Sequence, residues 1–180
     1  PTVMEWDRKA APKMVPGANV TYVEKVQSHK LAMWRGRGLD LMRKGSVAVC
    51  ILCGGMDRRM RQGLPKGVLD FGLLSGKSIL QLYAERLRRL QMLVARTMEG
   101  DADDVRIPVY IMCNEGNFDL LNAFFEENDY FGLYHADVTL FKQKKAPLLD
   151  HLGRFCLGKK HTIHSEPCGN GYLFQALEKD

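Results

Sequence analysis

SVAVCILCGGMDRRMRQGLPKGVLDFGLLSGK, residues 46–77, is the stretch whose reading decides the fold. It opens on a short apolar run, Val47 to Cys53, rich in β-branched residues. That composition predicts a strand buried on both faces, as in a parallel sheet. Gly54 and Gly55 end the run, and Arg58, Arg59, Arg61, Pro65 and Lys66 follow. A buried strand that breaks at glycine into a basic loop brings backbone N–H groups up to phosphate oxygens. Lysine and arginine then supply the charge. Taken alone, a Gly-Gly turn with a solvated basic face accounts for the same residues.

Outward from this stretch the chain alternates strands and helices. Ser78 to Met98 reads as a helix with an apolar stripe of Ile79, Leu82, Tyr83, Leu87, Leu90, Leu93 and Val94. Arg86, Arg88, Arg89 and Arg96 lie off that stripe, and Ser75 or Ser78 is the candidate N-cap. After the polar EGDADD segment, Pro108 to Cys113 reads as a second buried strand and Phe118 to Asn128 as a second amphipathic helix. Val138 to Lys142 is a third strand, Lys144 to Glu166 a loop or hairpin, and Gly169-Asn170-Gly171 opens a last helix, Tyr172 to Lys179. On the amino-terminal side, Ser28 to Met42 has Leu31, Trp34, Leu39 and Met42 at near-helical spacing, interrupted by Gly36 and Gly38. Residues 1–27 hold three of the seven prolines and read as an extended arm. The order predicts a doubly wound α/β sheet over residues 28–180, preceded by the arm over 1–27.

Composition narrows the class. A chain of 180 residues, 46% hydrophobic and 26% charged, has the makeup of one ordinary globular domain. A net charge of +5 permits nucleic-acid contact but equally suits a phosphate-binding protein. No run approaches the roughly 18 apolar residues of a membrane span, and the Pro-first terminus carries no apolar secretory core. Five cysteines, an odd number and three of them in or beside apolar runs, predict reduced thiols. The expected location is therefore intracellular and cytoplasmic, with an organelle left open.

Three further patterns invite a chemical reading. GLLSGKS, Gly72 to Ser78, has the look of a P-loop, but the position five residues before Gly76 is Phe71 rather than glycine. Cys156, His161, His164 and Cys168 form C-x4-H-x2-H-x3-C, four soft ligands whose spacing matches no common zinc finger. A loop with solvent-facing histidines is the expectation there. Lys142, Lys144, Lys145, Arg154, Lys159 and Lys160 crowd one segment, with Phe141, Phe155 and His161 among them. Such a cluster suits either RNA contact or a solvated rim.

The chain resembles the UDP-N-acetylhexosamine (UDP-N-acetylglucosamine) pyrophosphorylase family. That family's signature is a strand, Gly-Gly-x-Gly-Thr-Arg-Leu/Met-Gly, then Pro-Lys-Gly. Gly54, Gly55, Arg59 and Pro65-Lys66-Gly67 stand on its elements, and the likeness continues through LLSGKSILQLYAERLRRLQ, IPVYIMCN, FFEENDYFGL and PCGNGYLFQAL. The resemblance implies a Rossmann-like fold of the nucleotide-diphospho-sugar transferase type, its sheet mixed or parallel and incomplete at the carboxyl end. It also implies nucleotide binding by Gly54, Gly55, Lys66, Gln143, Gly169 and Asn170, with Arg59 and Lys66 catalytic if the chain is active. Mg²⁺ would then be the cofactor. Asp57 stands at the third glycine position, Arg58 at the threonine and Arg61 at a further glycine, while Cys168 replaces an acidic residue. The relatives' metal-holding Asp-Asn pair and sugar pocket would follow Asp180. The expectation is therefore a truncated, degenerate domain that retains at most residual binding of a uridine nucleotide, UTP or a UDP-sugar. It would act as a non-catalytic scaffold component of a larger assembly, a ribonucleoprotein being one form. The alternative is an active uridylyltransferase whose other half lies on another chain or outside this sequence.

Overall fold

The computed structural model describes residues 17, 20–55, 63–97 and 100–178. The chain divides into two compact units, residues 1–38 with 147–165 and residues 39–146 with 166–180. The second holds a parallel sheet and the core.

Helix α1 (Ser28–Arg43) runs unbroken. Gly36 and Gly38 do not interrupt it, and a Cβ at either would meet nothing within 4 Å. Its last turn is closed by Asp40, whose carboxylate accepts from Arg43 at 2.7 Å and Lys44 at 2.9 Å. Those hydrogen bonds, Lys44's first, hold the Asp40 carboxyl below its ordinary range.

Three strands follow in the order β1 (Val49–Leu52), β2 (Val109–Cys113) and β3 (Val138–Lys142), all parallel. Val49 pairs with Val109 and Val109 with Val138. Parallel neighbours need crossovers, which α2 (Ile79–Arg96) and α3 (Phe118–Glu127) provide. The central strand β2 is buried along almost its whole length, as expected.

Strand β1 departs from its expected burial. Val49 and Ile51 are half-buried, whereas Cys50 is exposed and Leu52 is 47% exposed. An all-apolar run hides which face points inward, and β1 ends the three-strand order rather than lying between neighbours. An open apolar groove of about 690 Å³ runs beside it, lined by Cys50, Leu52, Tyr83, Leu87 and Phe125 among others.

Helix α2 begins at Ser78, whose hydroxyl accepts from Gln81 N–H at 3.1 Å. Its buried face is Leu80, Ala84, Leu87, Gln91, Val94 and Ala95, which rotates the expected stripe: Tyr83 and Leu93 are exposed. Two alanines let the helix close on the sheet, and Gln91 donates to the Val105 carbonyl at 2.8 Å. The apolar members of that face pack with Val109, Ile111, Cys113, Leu121, Phe125 and Val138 in one core.

After α3 the backbone takes four consecutive left-handed residues, Asp129, Tyr130, Phe131 and Gly132, with φ from 46° to 77°. For non-glycine residues this costs on the order of 1–2 kcal/mol each. Ring contacts offset it, Phe131 lying 5.4 Å from Phe124 and 5.7 Å from Phe125. Lys144 to Glu166 forms a hairpin-like arm based on β4 (Lys145–Pro147) and β5 (Ser165–Pro167). The short helix α4 (Tyr172–Leu177) follows Gly171.

Candidate functional site

At the carboxyl end of the parallel sheet the chain must turn out of each strand, and there the strand-end backbone groups lack ladder partners. The loop after β1, Cys53-Gly54-Gly55, has three successive carbonyls, and each is satisfied from elsewhere. Asn117 Nδ2 donates to Cys53 O at 2.9 Å, Asn114 Nδ2 to Gly54 O at 2.6 Å, and the Lys66 backbone N–H to Gly55 O at 3.2 Å. The two asparagines brace each other: Asn114 N–H donates to Asn117 Oδ1 at 2.9 Å and Asn117 N–H to Asn114 Oδ1 at 2.8 Å. Asn117 is completely buried.

Gln143 stands at the end of β3. Its backbone N–H donates to Cys113 O at 2.7 Å and its buried amide Nε2 to Gly169 O at 2.6 Å. Its Oε1 lies 3.3 Å from where a Cβ on Gly54 would be, a tight approach that any larger residue would push back by a few tenths of an ångström. Gly169, at φ +83°, turns the chain toward α4.

Pro65-Lys66-Gly67 closes the other side. The Lys66 Nζ, Cε and Cδ lie 3.7–3.9 Å from a Cβ position on Gly55. Gly67 is packed hard: a Cβ there would meet Leu80 Cδ1 at 2.7 Å and Cys53 Sγ at 2.8 Å. Burial raises the Cys53 thiol above its ordinary pKa, countered in part by the Gly67 N–H donating to its sulfur. Burial, with Cys53 alongside, pushes Cys113 up to about 12. A cleft of about 290 Å³ opens here between Gly55, Lys66, Leu52, Ile79 and Tyr83.

The structure thus gathers Gly54, Gly55, Lys66, Gln143 and Gly169 in one unit. Asn170 gives its carbonyl to Leu173 N–H at 3.1 Å at the start of α4, and its side chain is exposed. Arg59, with Asp57, Arg58 and Arg61, lies outside the described residues. Asn114 and Asn117 escaped the sequence reading, because CNEGN after β2 resembles an ordinary polar turn. Asking which donors satisfy the carbonyls after β1 would have pointed to them.

Four residues of the basic segment have partners within the chain. Lys142 Nζ lies over the Phe118 ring at 4.6 Å and Lys144 Nζ over Tyr172 at 5.9 Å. Lys145 pairs with Glu115 at 2.6 Å and Arg154 with Asp150 at 2.9 Å. Among the described residues no three His, Cys, Asp or Glu side chains converge as metal ligands, so Cys156, His161, His164 and Cys168 form no zinc set. Nor do three carboxylates gather among those residues as a site for Mg²⁺. Among the described residues no helix is long and apolar enough to cross a membrane.

The sequence pattern of the family described as UTP--glucose-1-phosphate uridylyltransferase matches residues 5–180. A probable UDP-N-acetylglucosamine pyrophosphorylase of Dictyostelium discoideum is 37% identical over 162 residues, 88% of this chain and 33% of its own length. The UDP-N-acetylglucosamine pyrophosphorylase of Saccharomyces cerevisiae is 38% identical, over 82% of this chain and 30% of its own. Among solved structures, the Trypanosoma brucei uridine diphosphate N-acetylglucosamine pyrophosphorylase, in complex with an inhibitor, superposes with a TM-score of 0.78 at 30% identity. That match covers 88% of this chain and 31% of the other. The chain spans about a third of the length of these relatives.

Proposed function

Since the chain belongs to the UTP--glucose-1-phosphate uridylyltransferase family and is a UDP-N-acetylglucosamine pyrophosphorylase-like domain, we propose that it binds a uridine nucleotide at the end of β1 and β3 without turning it over. The observation that carries this reading is Gln143. One hydrogen of its buried amide is used on Gly169 O, which leaves the other hydrogen and the carbonyl oxygen for the donor–acceptor edge of a pyrimidine. Gly54 stands against that amide, so a flat ring meets backbone rather than side chain. Lys66, next to Gly55, supports charge neutralisation of the phosphates.

The non-catalytic part of the reading rests on sequence. Asp57 puts a carboxylate where the family has glycine, and a like charge beside a triphosphate is repulsive by a few kcal/mol, on the order set by an effective dielectric near ~20. The chain acts as a binding component of a larger assembly. The internal partners of Lys142, Lys144, Lys145 and Arg154 favour protein over RNA as its neighbour.

Calorimetry with UTP and uridine tests the proposal, alongside an assay of pyrophosphate release with UTP, Mg²⁺ and N-acetylglucosamine 1-phosphate. The expected results are a Kd for UTP weaker than about 1 μM and no pyrophosphate above background. Sub-micromolar UTP binding or detectable turnover overturns the non-catalytic reading. Absence of binding by both ligands overturns the uridine site.

A further inference from the structure

We infer that Asn114 and Asn117 are positioning residues that fix the polarity of the Cys53–Gly55 loop, so that it presents amide N–H groups toward the nucleotide's phosphates. This rests on the uridine-nucleotide reading above.

In a trans peptide the N–H of one residue points opposite to the carbonyl of the residue before it. Holding Cys53 O on Asn117 therefore aims the Gly54 N–H away from that asparagine. Holding Gly54 O on Asn114 does the same for the Gly55 N–H. Two adjacent glycines have no side chain to resist a peptide flip, and each flip would put a carbonyl where an anion must approach. The asparagines remove that freedom. Among the described residues neither Gly54 N–H nor Gly55 N–H has a hydrogen-bond partner, whereas all three carbonyls do.

Chemistry dictates the residue type. Each amide uses its oxygen on the other's backbone N–H and its nitrogen on a loop carbonyl. Only a planar group with a donor and an acceptor on opposite arms does both at once. Aspartate would set an oxygen against a carbonyl oxygen, and an aliphatic residue would leave both buried groups unpaired.

The test measures the affinity of the full chain and of Asn114→Ala for UTP and for uridine, with thermal melts beside them. Asn114 is only half-buried, so the fold tolerates its truncation better than that of Asn117. UTP affinity is expected to fall about tenfold, the worth of one charge-assisted hydrogen bond, while uridine affinity changes less than about twofold. Asn114→Ser keeps an acceptor for Asn117 N–H but lacks the amide arm that holds Gly54 O, so it is expected to lose UTP affinity as the alanine variant does, and it serves as the test where the alanine variant does not fold. Equal losses for the two ligands, or none for either, overturn the inference. Failure of the unmodified chain to bind uridine or UTP overturns the uridine reading instead.

Discussion

The loop Cys53–Gly55 and the arm between Leu148 and His164 are both irregular, yet they are held by opposite means. The loop's carbonyls are bonded across 60 and 64 residues of sequence, by Asn114 and Asn117. The arm is built from bonds among its own residues: Leu148 N–H to His164 O, Cys156 N–H to Leu148 O, and His164 N–H to Cys156 O. Asp150 folds the arm's turn on itself, accepting from the Leu152 and Arg154 N–H groups. Around the loop lie Gly67, Leu80 and Asn117, all buried. On the arm Leu149, Phe155, Leu157 and Ile163 are 49–68% exposed. A loop wired through distant residues inherits the stability of the whole core, whereas an arm whose described bonds are mostly local draws less from it.

The largest effect that separates them is expected at Gly67. Its Cβ space is already filled by Leu80 and Cys53, and both are buried against the sheet. Gly67→Ala forces one of them to move and costs about 3 kcal/mol, the upper part of the overpacking range. Urea denaturation measures it. A loss under about 0.5 kcal/mol means that the loop yields as easily as a surface turn, and the contrast with the arm disappears.

A smaller effect comes from pH. The Cys113 thiol is pushed up to about 12 from an ordinary 9.0, chiefly by burial, and Cys53 moves in the same direction. The folded state therefore keeps protons that the unfolded chain releases above pH 9. The stability is fully present below that point and declines as pH rises toward 12. Melting temperature is expected to drop across pH 9 to 11, and Cys113→Ala to flatten that slope while lowering the whole curve. A flat profile in the unmodified chain removes the buried thiols from the account of the loop's stability.

What could be read from the sequence follows the same division. VYIMC announces β2 because its apolar run is almost wholly buried, and VTLFK announces β3 because Val138 is in the core and Leu140 packs against it. The Gly-Gly break, Lys66, Gln143 and Gly169 could be named from the residues and a resemblance. The burial of β1 could not, since VAVCIL is apolar at every position and carries no alternation to mark the residues that end up exposed. The true buried face of α2 includes Ala84, Gln91 and Ala95, residues that a search for large apolar side chains passes over. Asn114 and Asn117 were invisible for a different reason: their partners are 60 or more residues away, and polar spacing alone does not reveal a long-range bond.

The smallest expected effect is on the arm. Leu157 is 68% exposed and Phe155 58%, so truncating either removes little area that folding takes out of water. Leu157→Ser is expected to change stability by less than about 0.5 kcal/mol, against about 3 kcal/mol for Gly67→Ala. The same substitution should raise solubility, because exposed apolar side chains gathered on one short segment favour self-association and docking. Sedimentation at rising protein concentration separates the two effects. If Leu157→Ser leaves stability unchanged and shifts the chain toward monomer, the arm's apolar residues serve contact with another surface. A loss of 2 kcal/mol or more shows instead that Leu157 is packed within the native fold, and the arm then has to be grouped with the loop rather than set against it.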